Sequence, residues 1–338
     1  MSTADFAAFS DRAIMFAGIV FALAMLAHIA EWAASLAAPA VRARAVAQAS
    51  TGGGVALAEG GPAEGGPADG VDAADAAALE RRELRIETAG RIGVALTVVG
   101  TLLLGAGLVT RSLASDPFRV PWGNMYEFTL TGCFGVAVMY LVLLSRLRLR
   151  WMGLFVTTFL VAVLMLANLT LEQAAGPLVP ALHSYWLVIH VGAAILATGA
   201  FSVGALASVA YLLKERLQGT RTSRLSGLLA MLPATDALDR LAYRVHAVGF
   251  PLWTFAALIA GPVWAEHAWG SYWNWDPKEV WAFITWVVYA AYLHARATAG
   301  WKGRAAAILA LIAFATLLFN FIGVNYFFGA GSMHSYAS

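Results

Sequence analysis

Charge is what this 338-residue chain has least of: Asp, Glu, Lys and Arg together make up 12% of it, against ~25% in an ordinary soluble domain. The formal net charge is +2 at pH 7, too small to point to nucleic acid. Cysteine is almost missing. The one thiol, Cys133, sits in an apolar run, where a small core residue is the ordinary reading. A single cysteine excludes an internal disulfide, a CxxC redox pair and a CxxCH segment. The first apolar run is also too long, and too poor in small-residue cleavage signals, to read as a removed signal peptide.

What is present instead is apolar sequence, 60% of the chain, in runs long enough to cross a hydrocarbon core of ~30 Å. Such runs are too continuous for barrel strands, so the expected fold is all-α: a polytopic membrane helix bundle. About eight transmembrane helices are expected, near 13–36, 90–109, 126–144, 151–169, 185–213, 245–264, 280–297 and 305–324. The chain then divides into a first transmembrane helix (1–37), a Gly/Pro/Ala-rich and charged linker (38–89), and a membrane domain (90–338). The Gly- and Pro-rich part of the linker has too little apolar surface to fold, whereas DAADAAALERRELRIE reads as a helix continuing the second span. The segment 214–244 is basic and amphipathic, interrupted by Pro233, and is expected as a surface helix pair. Lys and Arg collect in alternate loops: Arg81, Arg82 and Arg85; Arg146, Arg148 and Arg150; Lys214 and Arg216; Arg296, Lys302 and Arg304. Positive loops stay in the cytoplasm, so the other loops and both termini are expected to be extracytoplasmic.

One outer connection, 264–281, reads WAEHAWGSYWNWDPKEVW. A single Trp at a bilayer interface is unremarkable in composition terms. Trp264, Trp269, Trp273, Trp275 and Trp281 together, with Gly270 and Asp276 among them, make an indole platform for a large, flat, apolar ligand. Gly270 is expected to let backbone approach that ligand. Asp276 and Pro277 suit the N-cap and N1 positions of the next helix, and Glu279 its first turn, so capping outweighs direct chemistry there. Asn124, Tyr126 and Glu127 fall on the same outer side, as packing residues or as lining.

Seven histidines sort by depth. His183 and His190 flank the outer start of the fifth span, His267 lies in the Trp connection, and His334 follows the last span. His294 lies thirteen residues beyond Trp281, roughly 20 Å deeper at 1.5 Å per residue. His28 is within the first span and His246 at the inner start of the sixth. An intramembrane imidazole is a functional candidate, and two of them flanking apolar walls are what a bis-His haem site requires. His28, His246 and His267 read more simply as hydrogen-bonded core or interface residues.

WGSYWNWDPKEVWAFITW resembles the tryptophan-rich (WWD) motif of the haem-handling membrane proteins of cytochrome c maturation. PWGNMYEF, LVPALHSYWLVIHV, LAYRVHAVGFPLWT, YLHAR, GWKGRAAAI and GVNYFFGAGSMHSY accompany it in order, between Trp122 and Tyr336. The set is similar to the CcsA-type family of System II cytochrome c biogenesis, whose actinobacterial members are named CcsB. That resemblance implies His190 and His334 as outer ligands of haem b iron. It implies Trp269, Gly270, Trp273, Trp275 and Asp276 as the platform, and His294 as an inner haem ligand. Its second inner ligand would come from a ResB-like partner. His183 is a departure from the family pattern. The implied activity is haem transport and cytochrome c haem lyase at the extracytoplasmic face of the cell membrane, in contact with its lipid. The implied partners are apocytochrome c with its CxxCH segment and thiol-reducing thioredoxin-like proteins. A bis-His cytochrome b transferring electrons through His28, His190 and His294 is the alternative, and a metal-free carrier of another flat molecule is a third.

Overall fold

The computed structural model describes residues 2–36, 68–115, 118–147, 149–174, 184–218, 231–328 and 331–334. Most of the linker and His183 lie outside the described residues. Among the described residues the chain is helical, without strands. The helices are α1 (Thr3–Leu36), α2 (Ala68–Leu113), α3 (Met125–Arg146) and α4 (Gly153–Thr170, entered through a 3₁₀ turn at Arg150–Met152). They continue as α5 (Tyr185–Gln218), α6 (Thr235–Phe255), α7 (Gly261–Trp269), α8 (Pro277–Ala297), α9 (Gly303–Leu318) and α10 (Val324–Phe328). Two π-helical segments, Ala256–Ala260 and Phe319–Gly323, join α6 to α7 and α9 to α10.

Seven helices among the described residues are long and apolar enough to cross a membrane. The α6, π and α7 segments count together as one of them, as do α9, π and α10. The remaining expected span, α8, is 21 residues long but carries Lys278, Glu279, His294 and Arg296. It is the polar helix of the bundle, and it packs on α6 and α9. The expected surface helix pair is not what the described part of 214–244 forms: Lys214–Gln218 continue α5 and Thr235–Arg244 begin α6. Helix α2 likewise runs unbroken across 89–90.

Large apolar side chains remain exposed on one span after another: Met15 (α1), Leu102 (α2), Val142 (α3), Leu166 (α4), Leu196 (α5) and Ile312 (α9). In water that would be a costly surface. Around a bundle whose backbone bonds are all internal, it is the rim that meets hydrocarbon. Among the described residues the interior holds three apolar clusters. The largest runs through α1 to α6, around Phe21, Leu130, Tyr140 and Leu160. A second joins α5, α6, α8 and α9 around Phe201, Tyr289 and Tyr292. A small third cluster, with Trp122, Leu187, Val191 and Trp264, lies at the end of the bundle that carries the Trp connection.

Two buried histidines serve packing. His28 is fully buried, its Nδ1 3.0 Å from Glu31 Oε2, and Glu31 Oε1 is 2.9 Å from Arg150 Nε. Its ring fills the space left by Gly93 of α2 and Gly153 of α4. His246 is equally buried, its Nδ1 2.7 Å from the Ala242 carbonyl, against Phe201, Tyr289 and Tyr292. A Cβ at Gly93 would stand 2.7 Å from the His28 ring. Gly93→Ala is therefore expected to destabilise the protein by about 1–3 kcal/mol, the usual cost of overpacking, read as a lower Tm in detergent.

Candidate functional site

A cavity of about 590 Å³ opens among α3, α4, α5, the α6–α7 junction, the start of α8 and the α9–α10 junction. Its size is within the ~300–1,000 Å³ of ordinary ligand sites. The walls are mostly apolar, with Phe128, Val163, Ile195, Trp253 and Phe321 among them, and both His190 and His334 reach it.

His190 projects from the second turn of α5. Its ring lies parallel to the Trp264 indole, 5.8 Å between centroids and 10° between planes. Its Nδ1 is 2.9 Å from the Ala256 carbonyl oxygen. A carbonyl only accepts, so Nδ1 carries the proton and Nε2 the lone pair, the arrangement that orients a metal-binding imidazole. The π-helical turn makes this possible. Gly261 N–H bonds back to the Ala256 carbonyl five residues earlier, and that oxygen serves His190 as well. A Cβ at Gly261 would stand 3.1 Å from the imidazole, so glycine gives the ring its seat.

His334 arrives from the opposite end of the sequence and meets the same indole. Its ring stands edge-on to Trp264 at 5.4 Å and to Trp269 at 4.7 Å. Its Nδ1 is 2.9 Å from Asp276 Oδ1. A carboxylate also only accepts, so His334 too holds its proton at Nδ1 and its lone pair at Nε2. The two imidazoles thus flank one tryptophan and face one cavity.

Asp276 is what keeps the tail there. Its side chain is buried and caps α8 by accepting from Lys278 N–H at 2.9 Å, while Glu279 returns the bond to Asp276 N–H in a capping box. The same carboxylate accepts from Ser332 Oγ (2.9 Å) and Met333 N–H (2.6 Å) besides His334. Burial by itself would raise its pKa. Hydrogen bonds from the His334 side chain and from the Lys278 and Met333 amides outweigh that and bring it from 3.8 to about 2. At neutral pH it is a carboxylate. The capping expected of Asp276 is present, and the same side chain also holds the His334 ring.

The remaining platform residues divide. Trp269 packs on Trp264 at 4.8 Å and so backs both imidazoles. Trp273 lines the cavity and meets Trp275 edge-on at 5.9 Å. Trp275 is 74% exposed with φ 57°, turned to the surroundings. Gly270 ends α7 with φ 74°, a left-handed conformation that glycine adopts without cost. No described atom lies within 4 Å of where its Cβ would be. Its conformation accounts for the glycine without any ligand contact.

The other histidines lie elsewhere. His294 is exposed on α8, away from the outer pair by most of that helix. His267 bonds to the Val263 carbonyl of its own helix. His28 is fully buried against α2 and α4 and pairs with Glu31, not with His190 or His294. Trp264, the residue both imidazoles touch, closes the sixth expected span in the sequence; its central place depends on the π-turn, which has no obvious sequence signal. Lys278 and Glu279 also line the cavity.

Fold and site together define a polytopic helical membrane protein with an apolar cavity between two oriented imidazoles. The family described as Cytochrome C assembly protein matches residues 122–330. Among curated proteins, "Cytochrome c biogenesis protein CcsA" of Gloeobacter violaceus is 36% identical over 302 residues, 75% of this chain and 88% of that relative. Proteins of the same name from a Synechococcus species (35%, 75% of this chain and 87% of the relative) and Microcystis aeruginosa (38%, 73% and 87%) are similar. The chain belongs to the cytochrome c assembly protein family and, within it, is of the CcsA type, with a role in cytochrome c biogenesis.

Proposed function

We propose that this chain carries haem b from the inner to the outer side of the cell membrane and presents it between His190 and His334 for attachment to apocytochrome c. The observation that supports this most is the convergence of two Nδ1-protonated imidazoles on Trp264 at one apolar cavity. Each imidazole offers Nε2 to iron, and the walls suit a porphyrin face. Both chain termini, the Trp connection and the cavity mouth belong to the extracytoplasmic side in this reading.

Haem supplies its two vinyl groups. The thiols of a CxxCH segment add across them: sulfur bonds to the inner vinyl carbon, the thiol proton goes to the terminal carbon, and nothing is oxidised. This chain's residues do the holding. His190 and His334 fix the iron, Asp276 fixes His334, and the Ala256 carbonyl fixes His190. The histidine of CxxCH then replaces one of the two. With Cys133 buried and no second thiol, reduction of the apocytochrome falls to separate thioredoxin-like proteins.

The inner site is read at His294. It shares an exposed stripe of α8 with Phe283, Val287 and Ala291, at the four- and three-residue spacings of one helix face. A ResB-like subunit packed there would complete the iron ligation, and haem lyase activity is expected only from the pair. Purification of the two subunits together should give a bis-imidazole haem spectrum. His190→Ala/His334→Ala should lower haem content and cytochrome c yield by more than the ~10–100-fold of losing one supporting contact. An unchanged yield in the double variant would reject the ligand assignment.

A further inference from the structure

The outer cavity is not apolar all round. Lys278 and Glu279, in the first turn of α8, and Asn320, in the second π-helical segment, all line it. Besides the two imidazoles, Lys278 is the one basic side chain on the wall among the described residues. Its Nζ makes no ion pair within 4.0 Å among them. The neighbouring Asp276 is already engaged by Lys278 N–H, Ser332, Met333 and His334. Glu279 spends Oε2 on the Asn274 and Asp276 amides. Its Oε1 is buried without a hydrogen-bond partner, and so is Asn320 Oδ1.

A half-buried ammonium with no ion pair within 4.0 Å among the described residues, and two unmatched polar groups on an otherwise greasy wall, make a poor resting arrangement. A ligand that brings an anionic group to Lys278 resolves it. The Asn320 amide can turn over to offer its NH₂ to the same group. Glu279 Oε1 calls for a donor, an ordered water or an un-ionised acid, and it repels a second anion placed close by.

We propose that Lys278 docks a carboxylate of the flat ligand held in this cavity, so that the ligand's acid edge faces the start of α8. This rests on the haem reading above and adds orientation to it: of the edges of the ring, the acid-bearing one is fixed by Lys278 and the opposite one is turned away from it. Lys278 is a positioning residue for the ligand and takes no part in bond making.

The test uses the full-length chain purified with its ResB-like partner and two probes, ferric protoporphyrin IX and its dimethyl ester, which lacks the ionised carboxylates. The wild type is expected to prefer the free acid by about tenfold or more, the scale of one charge-assisted hydrogen bond. Lys278→Gln should bring the acid-to-ester ratio close to one while the bis-imidazole spectrum persists, and Lys278→Arg should restore the preference. Glu279→Gln, which keeps the capping box, should leave the preference intact or enlarge it. Equal wild-type binding of acid and ester, or an undiminished preference in Lys278→Gln, would overturn the proposal and leave the haem reading standing. Failure of the wild type to bind either porphyrin would overturn both.

Discussion

Replacing Asp276 by alanine is expected to empty the proposed outer haem site although it removes neither of the two imidazoles. The carboxylate accepts four hydrogen bonds, one from the helix it caps and three from the tail segment Ser332–His334. Loss of the cap costs about 1 kcal/mol, which the bundle tolerates. Loss of the other three frees the tail and lets His334 exchange its Nδ1 and Nε2 protons, so the imidazole no longer presents a fixed lone pair. Outer-shell partners of metal-binding histidines are worth about 10–100-fold in affinity, and this one also anchors the chain. Asp276→Asn retains a capping side chain without the charge and should fall between the two. Haem content of the purified protein, with the Tm as control, measures it. Normal content in Asp276→Ala would show that the tail is held by something else.

The second large effect is expected at Glu127, on the other side of the same end of the bundle. Its side chain is fully buried and faces two arginines that are themselves nearly so. Arg111 Nε lies 2.9 Å away, and Arg119 binds both carboxylate oxygens at 2.6 and 2.9 Å. Gly123 N–H adds a fourth bond, and Asn124 caps α3 by accepting from Glu127 N–H. Glu127→Ala removes the buried carboxylate that Arg111 and Arg119 share, and breaking such a pair typically costs about 3–5 kcal/mol. Loss of folded protein in the membrane fraction is the expected result, whereas Glu127→Gln should retain part of the geometry. The haem spectrum of any surviving Glu127→Ala protein should be normal, because Glu127 does not reach the cavity. A well-folded, stable Glu127→Ala protein would contradict this account.

The all-helical membrane fold was legible because apolar runs of spanning length admit few other structures, and the expected boundaries follow the helices to within a turn or so at α3, α4 and α8, and at the start of α9. The long ends of α5 and α6 were not. Their amphipathic composition fits a helix lying on the membrane as well as one extending out of it, and only packing between the two decides. At the site, the sequence placed His190, His334, Trp269, Trp273 and Asp276 at one end of the bundle, and the structure assembles them. It could not reveal that Trp264 stands between the imidazoles, since that depends on a backbone bond from Gly261 to Ala256. Nor did it foresee that Gly270 serves a turn, that Trp275 faces outward, or that Lys278 is a cavity residue. Charged side chains beside a proline at a helix start look like caps from sequence, and whether they also face a cavity depends on the angle at which the helix enters.

The two π-helical segments leave the bundle sensitive to length. Each holds one residue more than an α-helical path would need, and beyond each lies a part of the proposed haem site: Trp264 after the first, the tail with His334 after the second. Deleting a single residue from Ala256–Ala260 would let the backbone rewind as ordinary α-helix, turning everything downstream by about 100° relative to α6. The indole would swing off the His190 ring with its side chain unaltered. Loss of one alanine there is a change of phase, set by residue count and not by residue kind.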